Sequence, residues 1–197
     1  MLAPWGVRIG SALVADPVCA NVPLRTPSGP LPVPYPLAPI VNFEVAEEHL
    51  ITRGLQHAVF FFPSPLEIDD GPFREAGGQV LARTSPGTWL TTGDSIDIRP
   101  RRPGEWEEGP EAGPQSVLVA LSGRLHSAFE PARRSDREAR VVIAGTGSMP
   151  RDSFLPSPAT NQSSEPLELM AQVIEWLSED PGLLAIRMRD PITRRGD

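Results

Sequence analysis

The predicted fold class depends on residues 141–148, which read Val-Val-Ile-Ala-Gly-Thr-Gly-Ser. Val141–Ala144 is apolar and partly β-branched, and a glycine follows it, so this segment predicts a buried strand. An amphipathic helix is predicted at Pro166–Leu177 and a last strand at Leu183–Met188. A strand, a loop, a helix and a strand in this order favour parallel pairing, with helices covering the sheet. We therefore predict an α/β fold with a mostly parallel sheet, flanking helices and Pro-rich irregular additions.

The predicted helix has one apolar face. Pro166 lies in its first turn, and Asp180-Pro181-Gly182 ends it. Its apolar residues recur at spacings of three and four, and they are Leu167, Met170, Val173, Ile174 and Leu177. The opposite face carries Glu168, Gln172, Glu175 and Glu179. The pattern predicts that Met170, Val173, Ile174 and Leu177 are buried against the sheet.

Apolar runs predict further strands. They are Val7–Ile9, Leu13–Ala15, Ala58–Phe62, Val80–Thr84 and Val117–Leu121. Val117–Leu121 and Val141–Ala144 are typical of interior strands that are buried on both faces. Two-faced burial needs covering elements on both sides, and only one strong helix is predicted. We therefore expect further covering elements before Met1, so that the chain is part of a larger domain and self-associates as a homo-oligomer.

Residues 1–197 are interpreted as a single α/β domain with two irregular regions. Residues 22–41 are rich in proline and cannot form a helix, which predicts an extended connection over a surface. Residues 99–116 form a charged loop rich in proline and glycine, with arginines first and glutamates after them. Such blocks of charge are typical of solvated loops.

The composition excludes several classes of function. The net charge is −7, from 25 acidic and 18 basic residues, which opposes nucleic-acid binding. Cys19 is the only cysteine, so neither a disulfide within the chain nor a cysteine-based zinc site is possible. No apolar run reaches the roughly 18 residues of a membrane helix. The three histidines, His49, His57 and His126, lie in unrelated segments, and we predict no metal and no cofactor.

The loop after Val141–Ala144 is the candidate ligand site, because α/β proteins bind ligands where strands end. Its candidate residues are Gly145, Thr146, Gly147, Ser148 and Asn161. Pro150 stands where a dinucleotide fingerprint has its third glycine, so the loop does not predict dinucleotide binding. Ser148 lacks both glycines of a nucleophile elbow, although a pair of Ser148 with His126 is geometrically conceivable.

A series of short segments spans nearly the whole chain in a recognisable order. The segments are Trp5-Gly6-Val7, Leu13-Val14-Ala15-Asp16, Asn42-Phe43, His49–Leu55, Leu81–Trp89, Val117–Phe129, Arg140–Gly145, Phe154-Leu155, Asn161, Ile174–Asp180 and Leu184–Arg187. Their ordered series resembles the gliding-motility-type auxiliary components of ABC transporters.

This resemblance implies an extracytoplasmic α/β domain, similar to glutamine-amidotransferase-like or flavodoxin-like folds. It implies a periplasmic location at the inner membrane, with anchoring helices outside this segment. It also implies a non-catalytic accessory role that binds ABC permease and ATPase subunits or other envelope proteins. Thr146 departs from the family, whose members often carry an acidic residue after the glycine aligned with Gly145. Two alternatives stay open: a module that binds a small ligand or glycan through the loop after Val141–Ala144, and an α/β hydrolase-type enzyme.

Overall fold

The computed structural model describes residues 2–43, 49–93, 95–130, 133–149 and 165–178. Ten strands are described: β1 (Val7–Ile9), β2 (Leu13–Ala15), β3 (Cys19–Thr26), β4 (Gly29–Asn42), β5 (His57–Val59), β6 (Leu66–Ile68), β7 (Gly78–Arg83), β8 (Trp89–Thr91), β9 (Ser116–Gly123) and β10 (Ala139–Ala144). A short 3-10 helix, Ala3–Trp5, precedes them, and the α-helices are α1 (Asp70–Glu75) and α2 (Glu165–Leu177).

The main sheet is curled and antiparallel, so the predicted mostly parallel α/β fold of the flavodoxin-like or glutamine-amidotransferase-like kind is wrong. Its strand order is β10-β9-β7-β4-β3, and β5 also pairs with β4. Two separate two-stranded ribbons are formed by β1 with β6 and by β2 with β8. Every described pairing between strands is antiparallel.

The pairing of β9 with β10 shows why the prediction of a parallel sheet is wrong. Both strands carry the apolar runs expected of interior strands, and Val117–Leu121 is fully buried. Such a run reports burial on two faces and does not report strand direction. The described residues between β9 and β10, 124–130 and 133–138, contain no helix, and Val141 lies opposite Leu121 in an antiparallel pair. The predicted last strand, Leu183–Met188, lies outside the described residues.

Two apolar layers cover the two faces of the sheet. On one face, Leu169, Val173 and Trp176 of α2 pack with Leu118 and Ala120 of β9. The other face carries a cluster that combines Val7 of β1, Leu66 of β6 and Phe73 of α1 with Val119, Leu121 and Ile143. Over β9, this second face is covered by β1, β6 and α1. That the chain is part of a larger domain stays a prediction.

Helix α2 buries a narrower face than its pattern predicts. Val173 is buried and Met170 packs partly against the core, but Ile174 is 61% exposed and Leu177 is 40% exposed. At 100° per residue, the apolar residues of this helix cover about half of its circumference. The core contacts are centred on Leu169, Val173 and Trp176, and Ile174 and Leu177 lie roughly 100° further around the helix axis. The predicted burial of Ile174 and Leu177 is wrong for this reason.

The Pro-rich residues 22–41 belong to strands β3 and β4 and to the turn between them, and these two strands form a hairpin. Pro23 lies directly opposite Pro32. Proline has no N–H to donate, so this position falls between the hydrogen-bonded pairs of the antiparallel ladder. In an antiparallel pair, every second residue points its backbone N–H away from the partner strand. Prolines at those alternate positions therefore remove no hydrogen bond of the hairpin. Pro30, Pro32 and Pro34 lie at such alternate positions.

His49 gives the fold a predicted dependence on pH. Burial lowers the pKa of its imidazole, which lies 5.3 Å from the Trp176 ring and accepts a hydrogen bond from the Ile51 N–H at Nδ1. An unfolded histidine has a pKa of about 6.5, so the unfolded chain binds more protons than the folded chain just below that pH. We expect the free energy of unfolding to fall as the pH is lowered from about 6.5 towards the lower pKa of folded His49.

The measurement is the urea midpoint at a series of pH values, for the natural chain and for His49→Asn. The variant should lose part of the decline below pH 6.5. An identical decline in both proteins would contradict the assignment to His49.

Candidate binding groove beside strand β10

The connection between β9 and β10, described at residues 124–130 and 133–138, folds back on itself through backbone hydrogen bonds. The Ser127 N–H donates to the Arg133 carbonyl at 2.8 Å, and the Ser135 N–H donates to the Leu125 carbonyl at 2.9 Å. His126 and Arg134 form an isolated antiparallel bridge. The indole Nε1–H of Trp5 donates to the His126 carbonyl at 2.7 Å. The bond from Trp5 joins the connection to the N-terminal 3-10 helix.

An open groove of about 660 Å³ lies between this connection and β10. Its apolar surface is formed by Trp5, Leu125, Ala139 and Val141. Phe129 also lines it and is 84% exposed, the highest value among the exposed large apolar side chains. This volume falls within the range of small-molecule pockets, and an exposed aromatic side chain at its edge is typical of an anchor for a partner. We call this feature the edge groove.

The rim of the edge groove carries positive charge. Arg133 and Arg134 line it together with one acid, Glu130. The Arg134 guanidinium donates from Nε to His126 Nε2 at 2.8 Å and lies 4.0 Å from the Glu75 carboxylate. Because His126 Nε2 accepts this bond, the imidazole presents a lone pair to the guanidinium. In a chain of net charge −7, two neighbouring guanidinium groups beside an apolar surface suit a carboxylate-bearing partner.

One buried hydroxyl of a residue that lines the edge groove has no hydrogen-bond partner in the described part of the chain. The Oγ of Ser135 is buried and makes no hydrogen bond among the described residues. A buried polar group without a partner costs free energy, so such groups are few in native proteins. The edge groove thus combines an apolar surface with two guanidinium groups and a buried hydroxyl.

The predicted ligand loop is used internally at several positions. The Gly145 N–H donates to the Val117 carbonyl at 2.8 Å, and the Gly145 carbonyl accepts from the Ser64 N–H at 2.8 Å. A Cβ atom at Gly145 would lie 2.1 Å from the Ser64 carbonyl oxygen, so glycine is needed for close backbone approach. Thr146 Oγ1 donates to the Phe61 carbonyl at 2.6 Å.

Gly147 has open space around its Cα, and Ser148 is buried. Asn161 lies outside the described residues. Ligand binding by Gly145, Thr146, Gly147 and Ser148 stays a prediction.

The structure does not bring Ser148 and His126 together. The antiparallel pairing places Ala139 opposite Gly123, so His126 lies near the beginning of β10. Ser148 follows the other end of the strand. Five steps of an extended strand separate the two ends by roughly 16 Å. The described residues also contain no group of three or more side chains that could hold a metal ion.

Sequence reasoning missed the edge groove because its parts are far apart in the chain. Trp5 and His126 are separated by 121 positions, and only the folded sheet joins them. A local signal existed in residues 124–138, where an isolated phenylalanine stands close to the pair Arg133-Arg134. An apolar aromatic residue inside a charged connection is unusual for a solvated loop.

Comparison with known proteins adds one finding. A family model described as "ABC-type uncharacterized transport system" matches residues 1–173. No curated protein and no solved structure matches the chain. Within the described part of the chain, no helix is long and apolar enough to cross a membrane.

Proposed function

The chain belongs to this family of auxiliary components of ABC-type transport systems, and on that premise we propose that it is a non-catalytic docking domain. In this proposal it binds the permease and ATPase subunits, or other envelope proteins, at the extracytoplasmic face of the inner membrane. The gliding-motility subtype, which the sequence also suggested, stays a prediction.

The edge groove is the observation that carries this proposal. Phe129 projects into solvent beside Trp5, Leu125 and Val141, which already form an apolar surface. Burying an exposed aromatic side chain against a partner is a common source of binding energy at protein interfaces. The adjacent arginines would orient the partner through its carboxylates.

The alternative ligand site, Gly145 to Ser148, has weaker support. The polar groups of Gly145 and Thr146 are engaged with Val117, Ser64 and Phe61. The enzymatic alternative has no support from geometry, because Ser148 and His126 lie at opposite ends of β10.

Co-purification from membranes tests the proposal. The full-length protein should retain an ATPase and a permease, and Phe129→Ala should reduce their recovery by about ten-fold or more, the effect of losing an interface anchor. The matched control is Leu31→Ala, which removes another exposed apolar side chain on the β3–β4 hairpin. Equal recovery with both variants, or no transporter subunit with the natural protein, would contradict the proposal.

A further inference from the structure

The outer edge of β10 presents backbone groups that no described strand pairs. β10 is the last strand at its end of the sheet. The Gly145 N–H points towards β9, because it donates to the Val117 carbonyl. Backbone groups alternate in direction along a strand, so the N–H and C=O groups of Arg140, Val142 and Ala144 point away from β9.

The two ends of the main sheet differ in their protection. At the far end, β3 carries Pro23, which faces Pro32 at a position where the ladder has no hydrogen bonds. Pro23 therefore removes a donor from the outer edge of β3, as natural proteins often do at exposed strands. Strand β10 contains no proline, and Arg140 is its only charged residue. Proline thus hinders strand addition at the β3 end of the sheet, whereas no strand among the described residues pairs with the outer edge of β10.

The edge groove lies on one face of this open strand. Ala139 and Val141 line the groove, and Ile143 belongs to the apolar cluster on the same face. Arg140, Val142 and Ala144 alternate with them and face α2, where Arg140 Nη1 donates to the Trp176 carbonyl at 2.7 Å. A strand added beside β10 would therefore direct every second side chain towards the edge groove.

We propose that β10 binds an extended segment of a partner protein by strand addition, with apolar side chains of that segment in the edge groove. The backbone groups of Arg140, Val142 and Ala144 form the new ladder. Alternate apolar side chains pack on Trp5, Leu125 and Val141. Arg133 and Arg134, close to the beginning of β10, bind an aspartate or glutamate of the segment. The mode of binding follows a general pattern in which main-chain bonds give affinity and pockets give specificity.

This inference rests on the proposed docking function and specifies its partner chemistry. A phage library of random peptides, about 12 residues long, is selected on the full chain. We expect enriched peptides with apolar residues at alternate positions and a nearby acidic residue. N-methylation of those peptide amides that face β10 should abolish binding, whereas N-methylation of the intervening amides should have a small effect, because only the first set donates to the strand.

The matched protein variants are Val142→Pro and Val142→Ala. Proline removes the outward N–H without removing a bond to β9, and alanine keeps that N–H while shortening the side chain. The Kd of a selected peptide should rise about ten-fold or more for Val142→Pro, the equivalent of one or two lost hydrogen bonds, and clearly less for Val142→Ala. The methylated peptides leave the protein unchanged. They therefore still test strand addition to β10 if Val142→Pro does not fold.

Several results would overturn the inference. One is a selection that yields no binder, or binders whose affinity does not depend on backbone methylation. Another is tight peptide binding only after deletion of residues 179–197, which would make the chain's own end the occupant. A dimer lost in Val142→Pro would make a second copy the occupant. If Val142→Pro still co-purifies with ATPase and permease as well as the natural protein does, the proposed docking function is supported and the proposed strand addition is wrong.

Discussion

Replacing Asp16 with alanine should lower the free energy of unfolding by about 3–4 kcal/mol, because its buried carboxylate is an acceptor for four hydrogen bonds. Asp16 directly follows β2 and is fully buried. It accepts from the backbone N–H groups of Val18 and Ser85, both at 2.7 Å. It also accepts from the hydroxyls of Ser85 at 2.7 Å and Thr88 at 2.6 Å.

The cost arises from the donors that alanine would leave behind. Two of them are backbone N–H groups, which no other side-chain rotation can satisfy. The Thr88 hydroxyl is also fully enclosed, although it retains contacts with Thr84 Oγ1 and the Ser85 carbonyl. The carboxylate therefore ties β2 to the turn between β7 and β8, and the loss should be seen as a lower urea midpoint with an unchanged slope.

Thr88 provides the matched pair of controls. Thr88→Ser keeps the hydroxyl and should cost clearly less than Thr88→Val, which keeps the shape and removes the donor to Asp16. A loss below about 1 kcal/mol for Asp16→Ala would show that water replaces the carboxylate, and the assigned role would be wrong.

This network also shows where sequence reasoning works for this chain and where it stops. The segments Leu13-Val14-Ala15-Asp16 and Leu81–Trp89 were recognised separately as family-like. The carboxylate joins them across 69 positions, from Asp16 to Ser85. Composition and local pattern do not predict this contact. An aspartate that follows a short strand can be buried, or it can lie in a solvated turn, and its neighbours in the sequence do not distinguish the two cases.

The strands themselves were predictable, and their directions were not. Val7–Ile9 and Leu13–Ala15 match β1 and β2, and Val141–Ala144 forms most of β10. Apolar runs predicted the positions of these strands, because a short run of apolar residues indicates a buried segment. The direction of pairing depends on how the chain connects the strands in space, and β9 and β10 are joined by a connection that turns back on itself. The predicted parallel sheet is wrong because it was inferred from one helix between two strands, and that order does not fix the direction in which β9 and β10 pair.

The edge groove was harder still, since its chemistry comes from groups that are individually ordinary. Phe129 and Arg134 belong to a charged connection, and Val141 looks like any core valine. The distinctive property is that β10 lies at the end of its sheet without a proline to protect it. That property belongs to strand order, which only the folded structure defines.

Helix α2 offers the most direct test of the packing. Leu169→Ala should lower the free energy of unfolding by about 2–5 kcal/mol, because it removes a fully buried side chain and leaves a cavity between α2 and the sheet. Leu169 is 0% exposed and packs in the cluster of Leu118, Phe60 and Trp176. The measurement is urea unfolding followed by circular dichroism, with equal slopes required for a comparison of midpoints.

Ile174→Ala is the matched control on the same helix. Ile174 is 61% exposed, so its truncation should change the free energy of unfolding by no more than about 0.5 kcal/mol. Alanine also has a higher helix propensity than isoleucine, which would offset part of any loss. The original apolar pattern treats Ile174 as core, whereas the structure assigns that role to Leu169. A large loss for Ile174→Ala together with a small loss for Leu169→Ala would mean that α2 is rotated about its axis, with the opposite sector against the sheet.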